Sequence, residues 1–175
     1  MSILCRAQAI NLVRKRTHLS RSSGTAGFAR GPSAATPGAV RYINPDNLYR
    51  AVNAYTQVVV SEGAIRTIYV SGQNALDDHG RLVGKNDLNA QLDRTYQNLQ
   101  AALESAGAGL KHIVKWNLYL IEGQALVPGF SGFTRPWSEF PPALTILFVA
   151  ALAHSDYLVE MDAIAVVPIP GGSVP

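Results

Sequence analysis

The chain has 175 residues, 47% of them hydrophobic and 15% charged, which suits one domain with a proper core rather than a disordered chain. No apolar run reaches the roughly 20 residues that a membrane helix needs, and the single cysteine, Cys5, can form no internal disulfide, so no oxidising compartment is implied. The formal charge of +3 hides an asymmetry: residues 1–41 hold seven basic residues and no acid, which leaves eight basic against twelve acidic residues in the rest, a net near −4.

Residues 1–41 are rich in Arg, Ser, Ala and Gly and carry no sustained pattern. They read as a basic N-terminal extension. The composition fits a mitochondrial or plastid presequence, and a mitochondrial one would make the protein mitochondrial; without a presequence it is expected in the cytoplasm. A disordered tail, or a basic arm for an acidic partner, are the other readings. The domain proper spans residues 42–170 and is mildly acidic, the wrong sign for a surface built on phosphate neutralisation, so nucleic acid is not an expected partner. Residues 171–175 read as a tail. There is no Cys/His cluster and no HExxH, so neither a metal nor another cofactor is expected.

Asn44-Pro45-Asp46 forms a turn, and Gln57 to Ser61 a short strand. Glu62-Gly63-Ala64 makes a tight connection to Thr67 to Ser71, read as the partner strand. Gly72 follows at once, where the absence of a side chain lets another group come close to the backbone. Asp77 to Gly80 is a loop, in which His79 reads as solvated. Asp87 to Ala106 is a helix, with Asn86 or Asp87 as N-cap and Gly107 and Gly109 as its stop. Leu88, Leu92, Tyr96, Leu99, Leu103 and Ala106 fall at spacings of three and four, one apolar stripe for the core.

Ile113 to Ile121 reads as a strand with Lys115, Asn117 and Tyr119 on one face and Trp116, Leu118 and Leu120 on the other. Gln124 to Glu139 is ambiguous between a short irregular helix and a loop. Pro141-Pro142 then feeds a strand–turn–strand made of Ala143 to Leu152 and Tyr157 to Val167, with Ala153-His154-Ser155-Asp156 between. In the last run Glu160 and Asp162 alternate with Val159, Met161 and Ala163, so both carboxylates share one face of the sheet. Either that face is solvated or one of the acids faces a pocket.

The order is β-β-α-β-(α)-β-β, an α+β class with a single sheet covered on one face by helices. The other face carries too many large apolar residues to stay bare, so the sequence predicts self-association across it.

Residues 42 to about 168 resemble the Rid family, also called YjgF or L-PSP endoribonuclease-like. The motifs that carry the resemblance are Asn53-Ala54-Tyr55-Thr56-Gln57, Ile68-Tyr69-Val70-Ser71-Gly72-Gln73 and Leu103-Glu104-Ser105-Ala106-Gly107. Ile113-Val114-Lys115, Pro142-Ala143 and Leu158-Val159-Glu160-Met161-Asp162-Ala163-Ile164-Ala165-Val166 complete them. The resemblance implies a chorismate-mutase-like α+β fold and a homotrimer with a barrel core. It also implies three small-molecule clefts between subunits.

The activity implied is hydrolysis of reactive 2-imino or enamine acids to 2-keto acids, with release of ammonia. In that family an Arg in a P-A-R-[ST] motif clamps the substrate carboxylate. Here the motif reads Pro142-Ala143-Leu144-Thr145, so Leu144 stands where the Arg is expected. A leucine offers no donor and would leave a buried carboxylate unpaired, at a cost of several kcal/mol. An Asn of the family's cleft maps onto Val127, and Phe148 is bulkier than its usual counterpart. Tyr55, Gly72 and Glu160 match the family, where the Glu orients a water and the Tyr closes the cleft. Arg135, in Thr134-Arg135-Pro136-Trp137, is the candidate for a replacement cation, with Trp137 beside it.

Glu160 beside Leu144 and Val127 is expected to sit in a dry site, which suits a general acid or base. The expected function is therefore a divergent Rid-type enzyme, hydrolase-like or acid/base, acting on a small and rather apolar substrate and not an efficient 2-imino acid deaminase. The alternative is a non-catalytic trimer that binds a small molecule or regulates. An endoribonuclease ranks behind both, because the body is acidic and no pair of histidines, nor a His–Lys pair, falls near the cleft.

Overall fold

The computed structural model describes residues 36–49, 54–124 and 141–171. In chain order these form β1 (Ala39–Ile43), β2 (Val58–Glu62), β3 (Ile65–Gln73), α1 (Leu88–Ser105), a single 3₁₀ turn (Leu110–His112), β4 (Ile113–Ile121), β5 (Ala143–Val149) and β6 (Val159–Pro168). The class is α+β, as the element pattern indicates. No helix among the described residues is long and apolar enough to cross a membrane.

The strands form a four-stranded sheet in the order β3-β6-β4-β5 and a separate antiparallel ribbon of β1 and β2. β6 runs antiparallel to both β3 and β4, whereas β5 runs parallel to β4. Three sequence expectations change here. β2 pairs with β1, not with β3. At the expected tight connection, Ala64 donates its N–H to Thr36 O (2.9 Å) and accepts from Ile169 N (2.9 Å). Those bonds to remote segments take the place of a closed hairpin. β1 itself begins inside the segment read as an extension, since AVRYI is too short and too close to Pro37 and Gly38 to stand out. And β5 and β6, consecutive in sequence, are not neighbours, because β4 lies between them.

α1 matches its expectation closely. Asp87 is the N-cap, its Oδ1 accepting from Ala90 N at 3.1 Å. At the other end Gly107 takes a left-handed φ of 64°, which lets Gly107 N reach Glu104 O and Ala108 N reach Leu103 O, both at 2.9 Å. This closing pattern satisfies carbonyls that a helix end leaves open.

The helix covers one face of the sheet. Leu92, Tyr96, Leu99 and Leu103 pack with Ile113, Trp116, Leu118 and Leu120 of β4 and its entry and with Val159, Met161, Ala163 and Ala165 of β6, all at most 1% exposed. Each large side chain so buried contributes about 1.5–3 kcal/mol. Two polar side chains of α1, Gln91 and Thr95, are buried as well. Gln91, fully buried, donates to Gly84 O (3.1 Å) and Asp156 O (3.0 Å) and accepts from Leu158 N (2.8 Å). It thereby ties the helix to the loop that delivers β6.

Candidate functional site

The opposite face of the sheet carries the chemistry. The two-residue period of β6 sends Val159, Met161 and Ala163 into the core and leaves Glu160 and Asp162 half-buried on the outer face. β4 does the same with Lys115, Asn117 and Tyr119. Register then sets the rows: Asn117 lies opposite Asp162 and Tyr119 opposite Glu160. On the far side of β4, Asn117 lies opposite Thr145 and Tyr119 opposite Leu147.

Within these rows Asp162 is held by two neutral donors. Asn117 Nδ2 donates to its Oδ1 at 2.8 Å, and Tyr119 OH donates to its Oδ2 at 3.0 Å. That hydrogen bond raises the Tyr119 pKa above the usual tyrosine value, with burial and the negative charges of Asp162 and Glu160 adding to it. Tyr119 is therefore a phenol, and a donor, at neutral pH. Lys115 Nζ donates to Thr145 Oγ1. Burial lowers the Lys115 pKa, and the attraction of Asp162 opposes the shift.

Glu160 occupies the end of the face nearest β3. The β3–β6 register slips between Val70 and Gln73, and this bulge brings Gly72 under the Glu160 side chain. A Cβ on Gly72 would stand 2.0 Å from Glu160 Oε1. Asn74, just beyond the bulge, donates Nδ2 to Glu160 Oε2 at 3.1 Å. Asn74 is itself fastened to the helix, since Asn98 Nδ2 donates to its carbonyl at 2.8 Å. The carboxylate is thus oriented from one side by an amide and laid over bare backbone, an arrangement that can hold a water or accept a proton from a ligand.

The structure brings Glu160 and Gly72 together. It separates Glu160 from Leu144. Leu144 pairs with the buried Trp116 and packs against the core, so the two expected neighbours lie on opposite faces of the sheet. The reason is the period of two: Ala143 and Thr145 share the outer face, and Leu144 between them cannot. Glu160's named neighbours are accordingly polar or backbone, not the hydrocarbon of Leu144.

Tyr55 is half-buried on the approach to β2. Its neighbour Thr56 donates through its side chain to Pro141 O (2.6 Å) and through its backbone to Pro142 O (3.1 Å), which fastens this segment to the entry of β5. Phe148 is 51% exposed near the end of β5. Val127, Arg135 and Trp137 lie outside the described residues. The residues that sequence reasoning missed are Asn74, Lys115, Asn117, Tyr119 and Thr145. The alternation of β4 placed three of them on one face, but their partners depend on the register with β6 and β5.

Among the described residues no group of three or more His, Cys, Asp or Glu is placed to hold a metal ion.

Residues 46–167 match the family described as Endoribonuclease L-PSP. The protein DfrA of Myxococcus xanthus is 31% identical over 124 residues, which cover 71% of this chain and 93% of that protein. A RutC family protein of Pyrococcus abyssi is 34% identical over 98 residues, covering 56% of this chain and 76% of the relative. Among solved structures, YyfB of Yersinia pestis, a Rid family protein of unknown function, matches with a TM-score of 0.62 and 30% identity, covering 72% of this chain and 97% of that one.

Proposed function

The chain belongs to the Endoribonuclease L-PSP family, also called Rid or YjgF, and from that membership we propose that it is a divergent member acting as an acid/base catalyst on a small, rather apolar substrate. The substrate class is a neutral imine or enamine, and the step is its hydrolysis. The site is completed between subunits of a homotrimer. Glu160 is the acid/base group, Asn74 orients it, and the Gly72 backbone leaves room for the ligand.

The observation that carries this reading is the placement of Glu160: a half-buried carboxylate held by Asn74 Nδ2 at 3.1 Å over a glycine that offers no side chain. Hydrolysis of an imine needs a group that can take a proton from water and return one to the leaving nitrogen, and a fixed carboxylate does both. The P-A-[x]-T motif contributes hydrocarbon to the core at Leu144, so it provides no guanidinium to clamp a carboxylate. The same observation favours the second reading, a non-catalytic trimer that binds a small molecule, because it removes a group the family uses for turnover.

The test is ammonia or amine release from two substrates generated in situ, a 2-imino acid and a neutral imine of similar size. We expect the neutral imine to be hydrolysed faster, and Glu160→Gln to slow it by about 10²-fold or more. Faster turnover of the 2-imino acid overturns the substrate class. Parent and Glu160→Gln rates that both equal the uncatalysed rate leave the binding reading in its place.

A further inference from the structure

Between α1 and the loop that follows β3 lies a pocket of about 350 Å³, at the lower end of the roughly 300–1,000 Å³ typical of small-molecule sites. It opens on the helix side of the sheet. Gln73, at its edge, stands opposite the core residue Met161. Arg94, Asn98 and Ala102 follow one another every fourth residue along α1, and Asp77 and Asp78 form the loop wall. The face expected to be covered between subunits is on the far side of the sheet.

The walls carry both signs of charge, and Arg94 is not paired with either aspartate. Arg94 donates Nε to Leu76 O at 2.9 Å, which fixes the guanidinium, and it forms no ion pair among the described residues. Asp77 accepts from His79 N (2.9 Å), Arg81 N (2.8 Å) and Arg81 Nε (2.8 Å). These bonds, the one from the Arg81 backbone foremost, hold its carboxyl below the usual aspartate pKa. A carboxylate has about four acceptor positions, so Asp77 keeps capacity for a further donor. Asp78 has His79 Nε2 at 3.8 Å. Asn98 donates Nδ2 to Asn74 O and to Leu76 O, both at 2.8 Å, which leaves its amide oxygen as an acceptor.

We propose that this pocket is a second ligand site, one that takes a small zwitterion of the α-amino acid type: Arg94 holds its carboxylate, and Asp77, Asp78 and the Asn98 oxygen hold its ammonium. A guanidinium fixed through Nε still presents its η nitrogens, and its planar fork suits a carboxylate. A simple anion would meet the two aspartates, and a simple cation the guanidinium, so a ligand with one charge alone is disfavoured at one wall. A zwitterion answers both walls. Ala102 leaves the room that a short side chain needs. Asn98 also belongs to the support of Glu160, because the Asn74 whose carbonyl it holds donates to Glu160 Oε2. Occupancy of the pocket is therefore expected to register at Asn74.

The experiment titrates the isotope-labelled full chain with L-alanine and follows the backbone amide signals by NMR. Saturable shifts are expected at Leu76, Asp78 and Ala102, carrying over to Asn74. Propionate and ethylamine are alanine without one or the other charged group. Each is expected to bind at least about tenfold more weakly, because each loses one set of charge-assisted contacts. Ala102→Leu fills the hollow with a good helix former and removes no charge, so it is expected to abolish the shifts while the chain stays folded. Glu160→Gln is expected to leave the affinity for alanine unchanged, which separates this pocket from the Glu160 site. Four results would each overturn the proposal: no saturable shift along the loop and helix, propionate binding as tightly as alanine, shifts that survive Ala102→Leu, or affinity lost with Glu160→Gln.

Discussion

Glu160 lies across Gly72 so closely that a Cβ added there would overlap its carboxylate, 2.0 Å from Oε1. The contact involves the far end of a flexible side chain, so the fold can yield to it while the carboxylate cannot stay in place. Gly72→Ala is therefore expected to leave stability within about 1 kcal/mol of the parent while displacing Glu160 from Asn74. Urea unfolding and the imine assay read the two effects separately. A variant with parental turnover would show that the position of Glu160 does not matter.

Position 144 offers the opposite case. Leu144 packs against the core beside Trp116, so Leu144→Arg puts a guanidinium into an apolar layer. A loss of about 3 kcal/mol or more is expected, because an unpaired charge has no partner there. Restored clamping of a carboxylate is not expected, since the side chain faces away from Glu160. Denaturant unfolding decides the first point, and ammonia release from a 2-imino acid the second.

Gln91 fills three backbone bonds from one buried amide. Gln91→Leu keeps similar volume but leaves two carbonyls and one N–H without that partner. About 3 kcal/mol should be lost, from a penalty of about 1–3 kcal/mol for each buried group left open. Since Leu158 sits two residues before Glu160, hydrogen exchange should also quicken in the loop that leads into β6. An unchanged unfolding midpoint would show that water replaces the amide at no cost.

The Tyr119 phenol gives a pH prediction. Its pKa is raised in the folded protein, above all by the hydrogen bond it donates to Asp162. The folded state therefore holds this proton to higher pH than the unfolded chain does. The stabilisation is complete below the unfolded tyrosine pKa of roughly 10 and is lost as pH rises from there through the folded value. Tyr119→Phe should flatten that alkaline part of the stability curve and remove a late-ionising tyrosine from the ultraviolet titration. Superimposable alkaline curves for parent and variant would count against the Asp162 bond.

Much of the architecture was legible in the residues themselves. The helix from Asp87 showed in the spacing of Leu92, Tyr96, Leu99 and Leu103, and in the cap and glycine at its ends, because a period of 3.6 is a local property of the chain. The faces of β4 and β6 showed in the same way, since alternation alone sends Trp116 and Met161 inward and Lys115 and Glu160 outward. The family resemblance rested on such local strings too, and the match over residues 46–167 agrees with it.

Partnership was decided by the tertiary structure alone. Alternation says that a segment is a strand but not which strand lies beside it, so the pairing of β2 with β1 and the insertion of β4 between β5 and β6 could not be read in advance. The bulge that sets Gly72 under Glu160, and with it the grip of Asn74, depends on a register slip against β6. Leu144 shows the limit most plainly. A motif names the residue at a position, but only the sheet determines which face that residue takes, because facing is set by register with neighbours far away along the chain.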